Sequence, residues 1–282
     1  MTTPFQIVDV FSPRAFAGNP VAVVFADASL GTDTMQRITR WLNLSETCFV
    51  LPTTEPKADY RVRIFTLERE LPFAGHPTLG TAHAWLRAGG VPQSEDEIVQ
   101  ECGAGLVRLR RSPQGRLSFA APPLERSGPL DPTKLAEIAG VLGIVQDAIV
   151  DAAWCDNGPG WAGILLPSAE DVLALKPASA HPTRIDIGVV GPYTADELAA
   201  VELREFFSDH TGALREDPVT GSLNASIAQW LVGSGRLEAP YLASQGTALG
   251  CEGRIHIEAD ATEQLWVGGE THTRFEGETH LA

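Results

Sequence analysis

The sequence predicts an α+β fold built as two similar lobes, each with one central helix among mostly antiparallel strands. Three observations predict it. The motif X-Pro-x-x-Gly-(Ser/Thr) precedes an Ala-rich helical stretch twice: His76-Pro77-x-x-Gly80-Thr81 and, 141 residues on, Asp217-Pro218-x-x-Gly221-Ser222. A second matched pair, Cys102-Gly103-Ala104-Gly105-Leu106 and Gln245-Gly246-Thr247-Ala248-Leu249, follows at an offset of 143 residues. Apolar and polar residues alternate with period two after both copies, as in half-buried strands. A repeat this long means paired lobes rather than a solenoid. The 282 residues are enough for two cores.

The elements follow in order. Phe5–Phe11 alternates as a strand, residues 15–20 form a turn, and Val21–Phe25 is a β-branched strand. Asp33–Leu42 has helical spacing, with Met35, Ile38 and Leu42 on one side and Thr32 or Asp33 as N-cap. Asn43–Glu46 closes that helix, and Thr47–Leu51 and Tyr60–Thr66 read as strands. A helix opens at His76 and runs to about Leu86; Ile98–Cys102, Gly105–Arg110 and Arg116–Ala120 form a small meander. Pro122-Pro123-Leu124-Glu125 breaks the pattern and sets the boundary, giving lobes 1–121 and 122–270. Beyond it, Pro132–Leu142, Ser168–Leu175 and Gly221–Val232 read as helices. Ala148–Asp151, Gly160–Leu166, Arg184–Val190, Arg204–Phe207, Ala248–Gly250, Arg254–Glu258, Gln264–Val267 and Thr271–Glu276 read as strands.

Composition excludes several function classes. Hydrophobic residues are 44% and charged residues 20% of the chain, the balance of a soluble globular protein. The net charge of −15 repels phosphate backbones, so no nucleic-acid partner is expected. It leaves room for a small anionic substrate in a locally positive pocket. No apolar run approaches the roughly 18–20 residues that span a bilayer, and the N-terminus lacks the pattern of a signal peptide. Cys48, Cys102, Cys155 and Cys251 are far apart and form no CxxC, so neither zinc nor a disulfide framework is expected. Four buried reduced thiols in a cytoplasmic protein is the reading.

The repeated motif has a physical meaning. The residue before proline is driven to extended geometry, and proline suits the first helical turn. His76 and Asp217 are therefore expected as N-cap-like residues at two helix mouths, where free N–H groups favour an anion. Taken alone, Asp217 is better explained by ordinary capping than by function; His76 is a poor cap and needs another reason, and the duplication shifts the balance toward function. Glu46 in "NLSETCFVL" stands before an apolar strand, where a carboxyl group suited to acid/base work is favoured in its neutral form. The alternative for Glu46 is a solvated turn residue. His83 lacks a second ligand at metal spacing and reads as a surface or core histidine.

"GNPVAVVF", "NLSETCFVL", "RIFT…ELPFAGHPTLGTA", "REF…EDPVTGSL" and "VGGETHTRFEGE" together resemble the PhzF-like phenazine biosynthesis isomerases of the diaminopimelate epimerase superfamily. The resemblance runs through nearly the whole chain in the same order. It implies two pseudo-symmetric lobes of diaminopimelate epimerase-like fold, each a sheet or open barrel around its helix, with the active site in the cleft between. It also implies that the last strand, near 271–282, returns to the first lobe. The activity implied is cofactor-independent isomerisation by proton transfer on a small cyclic or amino carboxylate, of the trans-2,3-dihydro-3-hydroxyanthranilate isomerase type. The family's glutamate, histidine, aspartate and serine fall on Glu46, His76, Asp217 and Ser222. Gly75, Gly80 and Gly221 fall where the pocket is shaped and the substrate carboxylate meets backbone amides. No metal, nucleic-acid or membrane partner is implied, and a homodimer is. The epimerase branch has a cysteine pair where this chain has His76 and Asp217, which disfavours two-thiol chemistry. Leu223 departs from the small residue usual there. Two alternatives remain: an epimerase or racemase of another amino or hydroxy acid, and a non-catalytic protein that binds a small carboxylate.

Overall fold

The computed structural model describes residues 2–281, which divide into two compact units. The first comprises residues 1–120 with 268–282, the second residues 121–267. The fold is α+β, and the order of elements from Thr2 to Ala120 recurs from Asp151 to Gly269.

In the first unit β1 (Thr2–Val10) pairs antiparallel with β2 (Asn19–Phe25). Helix α1 (Thr32–Leu42) leads to β3 (Glu46–Leu51), which joins β2 in parallel. Strand β4 (Tyr60–Thr66) returns antiparallel to β3 and turns into β5 (Glu70–Leu71). Helix α2 (Gly75–Arg87) follows, then β6 (Glu97–Cys102) parallel to β4, and the meander of β7 (Gly105–Arg111) and β8 (Leu117–Ala120). The C-terminal strand Thr271–His280 lies antiparallel to β1.

In the second unit β9 (Arg126–Pro129) occupies the corresponding edge, antiparallel to β10 (Asp151–Asp156), with helix α3 (Pro132–Leu142) between them in sequence. Strand β11 (Ala162–Leu165) pairs antiparallel with β10. Helix α4 (Ala169–Ala174) leads to β12 (Asp186–Pro192), parallel to β11, and β13 (Val201–Ser208) returns antiparallel to β12. After β14 (Leu214–Arg215) come α5 (Gly221–Gly233), β15 (Tyr241–Gln245) parallel to β13, β16 (Gly253–Ala259) antiparallel to β15, and β17 (Leu265–Gly269).

The central helices are buried nearly all round. Every residue of α2 from Gly75 to Ala82 is buried, and α2 touches β1, β2, β3, β4, β6 and β8. Small side chains make this possible: a Cβ on Gly80 would sit 2.3 Å from Val21 Cγ1. In contrast, α1 is amphipathic and covers one side of the sheet, burying Met35 against Val24, Phe49 and Phe65. In the second unit α3 and α4 do this work, packing Ile138, Leu142 and Val172 on Ile187, Val189 and Phe206.

Several local expectations are corrected. Ala148–Asp151 is not a strand: residues 146–148 form a 3-10 turn and the strand starts at Asp151. Ala248–Gly250 is likewise a 3-10 turn, bounded by Gly246 and Gly250 at positive φ, and the true strand is the unread Tyr241–Gln245. Gly31, not Thr32 or Asp33, caps α1, with no side-chain bond to the helix. Of the four cysteines only Cys48 and Cys155 are buried; Cys102 and Cys251 are partly exposed, and none of the four forms a disulfide. Among the described residues no helix is long and apolar enough to cross a membrane.

Candidate active site

The first unit gathers Glu46, His76, Asn19 and Ser45. Asn43 closes α1 in the left-handed region at φ 55, so the chain turns sharply and delivers Glu46 as the first residue of β3. There Glu46 stands between Val21 of β2 and Thr66 of β4. It is not a solvated turn residue: its side chain is only 15% exposed. His76 is the second residue of α2 and is buried. Its Nε2 lies 3.2 Å from Glu46 Oε2, yet the angle makes no hydrogen bond, and both atoms are buried without another partner.

Asn19 sets the ring. The Ser45 hydroxyl donates to Asn19 Oδ1 at 3.2 Å, which leaves Asn19 Nδ2 to face His76 Nδ1 at 3.3 Å. An amide nitrogen only donates, so Nδ1 accepts. In the neutral ring the hydrogen then sits on Nε2, the atom nearest Glu46.

The second unit gathers Asp217, Thr220, Ser222 and Gln245. Helix α5 starts at Gly221 with Thr220 as N-cap, so Asp217 lies outside the helix, not at its cap. Nor is His76 a cap: Ala74 holds that place in α2. Asp217 Oδ2 accepts the Thr220 hydroxyl at 2.7 Å. Gln245, wholly buried on β15, ties the segment down. Its Oε1 accepts Thr220 N–H at 3.0 Å and Asn224 Nδ2 at 2.8 Å; its Nε2 donates to the Asp217 carbonyl at 3.2 Å. The Ser222 carbonyl accepts Asn157 Nδ2 at 3.0 Å. Neither α2 nor α5 carries a side-chain cap, so no side chain occupies their first N–H groups.

Gly75 and Gly221 are the first residues of the two helices and are buried. Gly80 instead lies within the contact of α2 with β2. Leu223 is accommodated by a glycine: a Cβ on Gly188 would come within 2.2 Å of Leu223 Cδ1, so this departure repacks α5 on β12. His83 bridges Thr271 and Thr273 at 3.0 Å each, and burial depresses its pKa to about 4. Burial raises the Cys48 and Cys155 thiols to about 12, which keeps them from serving as nucleophiles or bases. Among the described residues no cluster of His, Cys, Asp or Glu could hold a metal ion.

Sequence reasoning passed over Asn19, Asn157 and Gln245 as site residues. Asn19 stands in "GNPVAVVF" and Gln245 begins the second stretch of the 143-residue repeat, so each lay inside a quoted motif.

The comparisons with known proteins agree on a family. The model of the phenazine biosynthesis-like protein family, PhzC-PhzF, matches residues 8–277. The trans-2,3-dihydro-3-hydroxyanthranilate isomerase of Pseudomonas aeruginosa is 44% identical over 290 residues, covering 98% of this chain and 99% of that one. A PhzF-family protein of Enterococcus faecalis superposes with a TM-score of 0.78 at 26% identity, over 99% of this chain and 100% of that one. A hydroxyproline epimerase from Agrobacterium vitis shares the fold at 14% identity and a TM-score of 0.59, over 98% of this chain and 92% of that one.

Proposed function

The chain belongs to the phenazine biosynthesis-like family and is a PhzF-type isomerase, and from that premise we propose that it shifts a double bond in a small cyclic carboxylate of the trans-2,3-dihydro-3-hydroxyanthranilate kind. The observation that carries the proposal is the buried Glu46–His76 pair, 3.2 Å apart with neither facing atom hydrogen-bonded. Such a pair suits a group that must give up and recover a proton.

Glu46 takes the proton from one ring carbon. The electrons of that C–H bond enter the conjugated system and the double bond moves. The same carboxyl group returns a proton to another ring carbon, so atoms and electrons balance with no co-reactant. His76, whose Nε2 lies beside Glu46, holds the carboxylate that results or donates to the substrate's amino or hydroxyl group. By the family resemblance, Asp217 and Ser222 bind polar groups of a substrate. The N–H groups at the start of each central helix suit a carboxylate, as helix N-termini do for anions. The same reading makes the enzyme a cytoplasmic homodimer, and light scattering on the purified protein checks the assembly.

Glu46→Gln keeps the shape and removes the base. Its kcat on trans-2,3-dihydro-3-hydroxyanthranilate should fall by roughly 10²–10⁴ with KM little changed. A variant with full activity on that substrate removes Glu46 from the mechanism.

A further inference from the structure

Strand β13 is buried on both faces from Val201 to Phe206, and it carries Glu205, 2% exposed, near its centre. Glu205 stands opposite Gly188 on β12, so the two share a face of the sheet. A Cβ at Gly188 would run into Leu223 of α5, which identifies that face as the one towards α5. Glu205 therefore points beneath the segment that leads into α5. There its Oε2 accepts the main-chain N–H of Asp217 at 2.9 Å. The adjacent Arg204 points the opposite way, donating to the carbonyls of Val172 and Leu175 by α4. Its remaining nitrogens hold Glu216 at 2.9 and 2.7 Å. Two neighbours on β13 thus hold two neighbours before α5.

The charges around Glu205 are uneven. Asp186 of β12 has a two-pronged partner in Arg184, and Glu216 has one in Arg204. Among the described residues no cation pairs with Glu205. Burial first, then the charges of Asp217, Asp186 and Glu216, favour its neutral form over the opposing pull of the Asp217 N–H.

We propose that Glu205 is a positioning residue for Asp217: a buried acid, paired with no cation among the described residues, that grips the Asp217 main chain in its neutral form. The proposal rests on the role given to Asp217 above. A carboxylate at position 205 would repel Asp217; an apolar residue would leave its N–H unpaired. A neutral carboxyl group accepts that bond without adding charge.

The test is a carbon-13 NMR titration of protein labelled in its glutamate carboxyls, with Glu205→Gln identifying the signal. Glu205 should titrate well above the ordinary 4.5; titration near that value overturns the proposal. Thermal unfolding gives a second reading. With the folded pKa raised, the stabilising effect of Glu205 is complete below the unfolded pKa and is lost as pH rises towards the folded one. Glu205→Gln should therefore gain on the parent as pH rises above about 5. A difference that stays constant over that range overturns the proposal. On trans-2,3-dihydro-3-hydroxyanthranilate, Glu205→Gln should hold kcat/KM within about threefold at neutral pH, and Glu205→Leu should lose about 10²-fold. Full activity of Glu205→Leu overturns the positioning role. If the parent protein does not turn over that compound, the substrate reading fails, and the titration still decides for or against Glu205.

Discussion

The two helix mouths carry one motif and are built differently. In the first unit α2 begins at Gly75, so His76 and Pro77 lie inside its first turn. In the second unit α5 begins only at Gly221, and Asp217 to Thr220 form a separate non-helical segment. The reason lies in the strand that follows each helix. Gln245 takes the N–H of Thr220, which a longer helix would have used. At the matching place in the first unit stands Cys102, whose thiol donates to the Gly105 carbonyl at 3.6 Å. With no competing amide, α2 extends back by more than a turn, well beyond the one or two residues by which helix ends are ambiguous. The residues at X are also held by different means. His76 is held by its ring, through the Asn19 side chain. Asp217 is held by its main chain, through Glu205 and Gln245. The repeat therefore preserves a helix mouth while the clamps beside it assign the chemistry.

Four substitutions sharpen or break this comparison, after the Glu46→Gln loss, which is the largest expected. Asn19→Asp replaces the donor facing His76 Nδ1 with an acceptor, which draws the ring hydrogen to Nδ1 and away from Glu46. A loss of about 10–10²-fold in kcat is expected, and nitrogen-15 spectra of His76 should show the tautomer exchanged. An unchanged tautomer would mean that the Asn19 clamp does not set the ring.

Gln245→Leu strips the side-chain partner from the Thr220 N–H and one of two acceptors from the Asn224 amide, which should cost about 1–3 kcal/mol of stability. The urea midpoint should drop with an unchanged slope. Cys102→Ser, its counterpart in the first unit, should stay within about 0.5 kcal/mol. Equal effects at the two positions would erase the asymmetry claimed for the clamps.

The smallest effect concerns His83, which burial holds neutral with its pKa depressed to about 4 from 6.5. The unfolded chain takes up a proton first as pH falls. Stability from this group is therefore complete above about 6.5 and is lost between there and about 4. His83→Gln should flatten that part of the stability curve, measured by thermal unfolding across it.

Much of this fold is written locally. The motif at His76 and Asp217, the Cys102 and Gln245 stretches and the strand alternation expose the duplication, and the central helices follow from their small residues. Legibility fails where the partner is distant in sequence. Tyr241–Gln245 lacks a clear alternating pattern and becomes a strand by pairing with β13 and β16. The chain reveals Glu46 and His76 as groups able to move protons, but their approach to 3.2 Å comes from β3 and α2 packing in one unit. Asn19 lies 57 residues from His76 and 26 from Ser45, beyond the reach of any local pattern. Glu205 sits in a strand-like run beside Arg204, and only the pairing of β13 with β12 shows which way it points.

The most direct measurement of the central claim is proton NMR of trans-2,3-dihydro-3-hydroxyanthranilate in D₂O with the parent protein and with Glu46→Gln. The account expects consumption with deuterium entering at one ring carbon, and loss of both in the variant. Deuterium entering at the same rate with Glu46→Gln would contradict it, because the proton would then be moving through some other group.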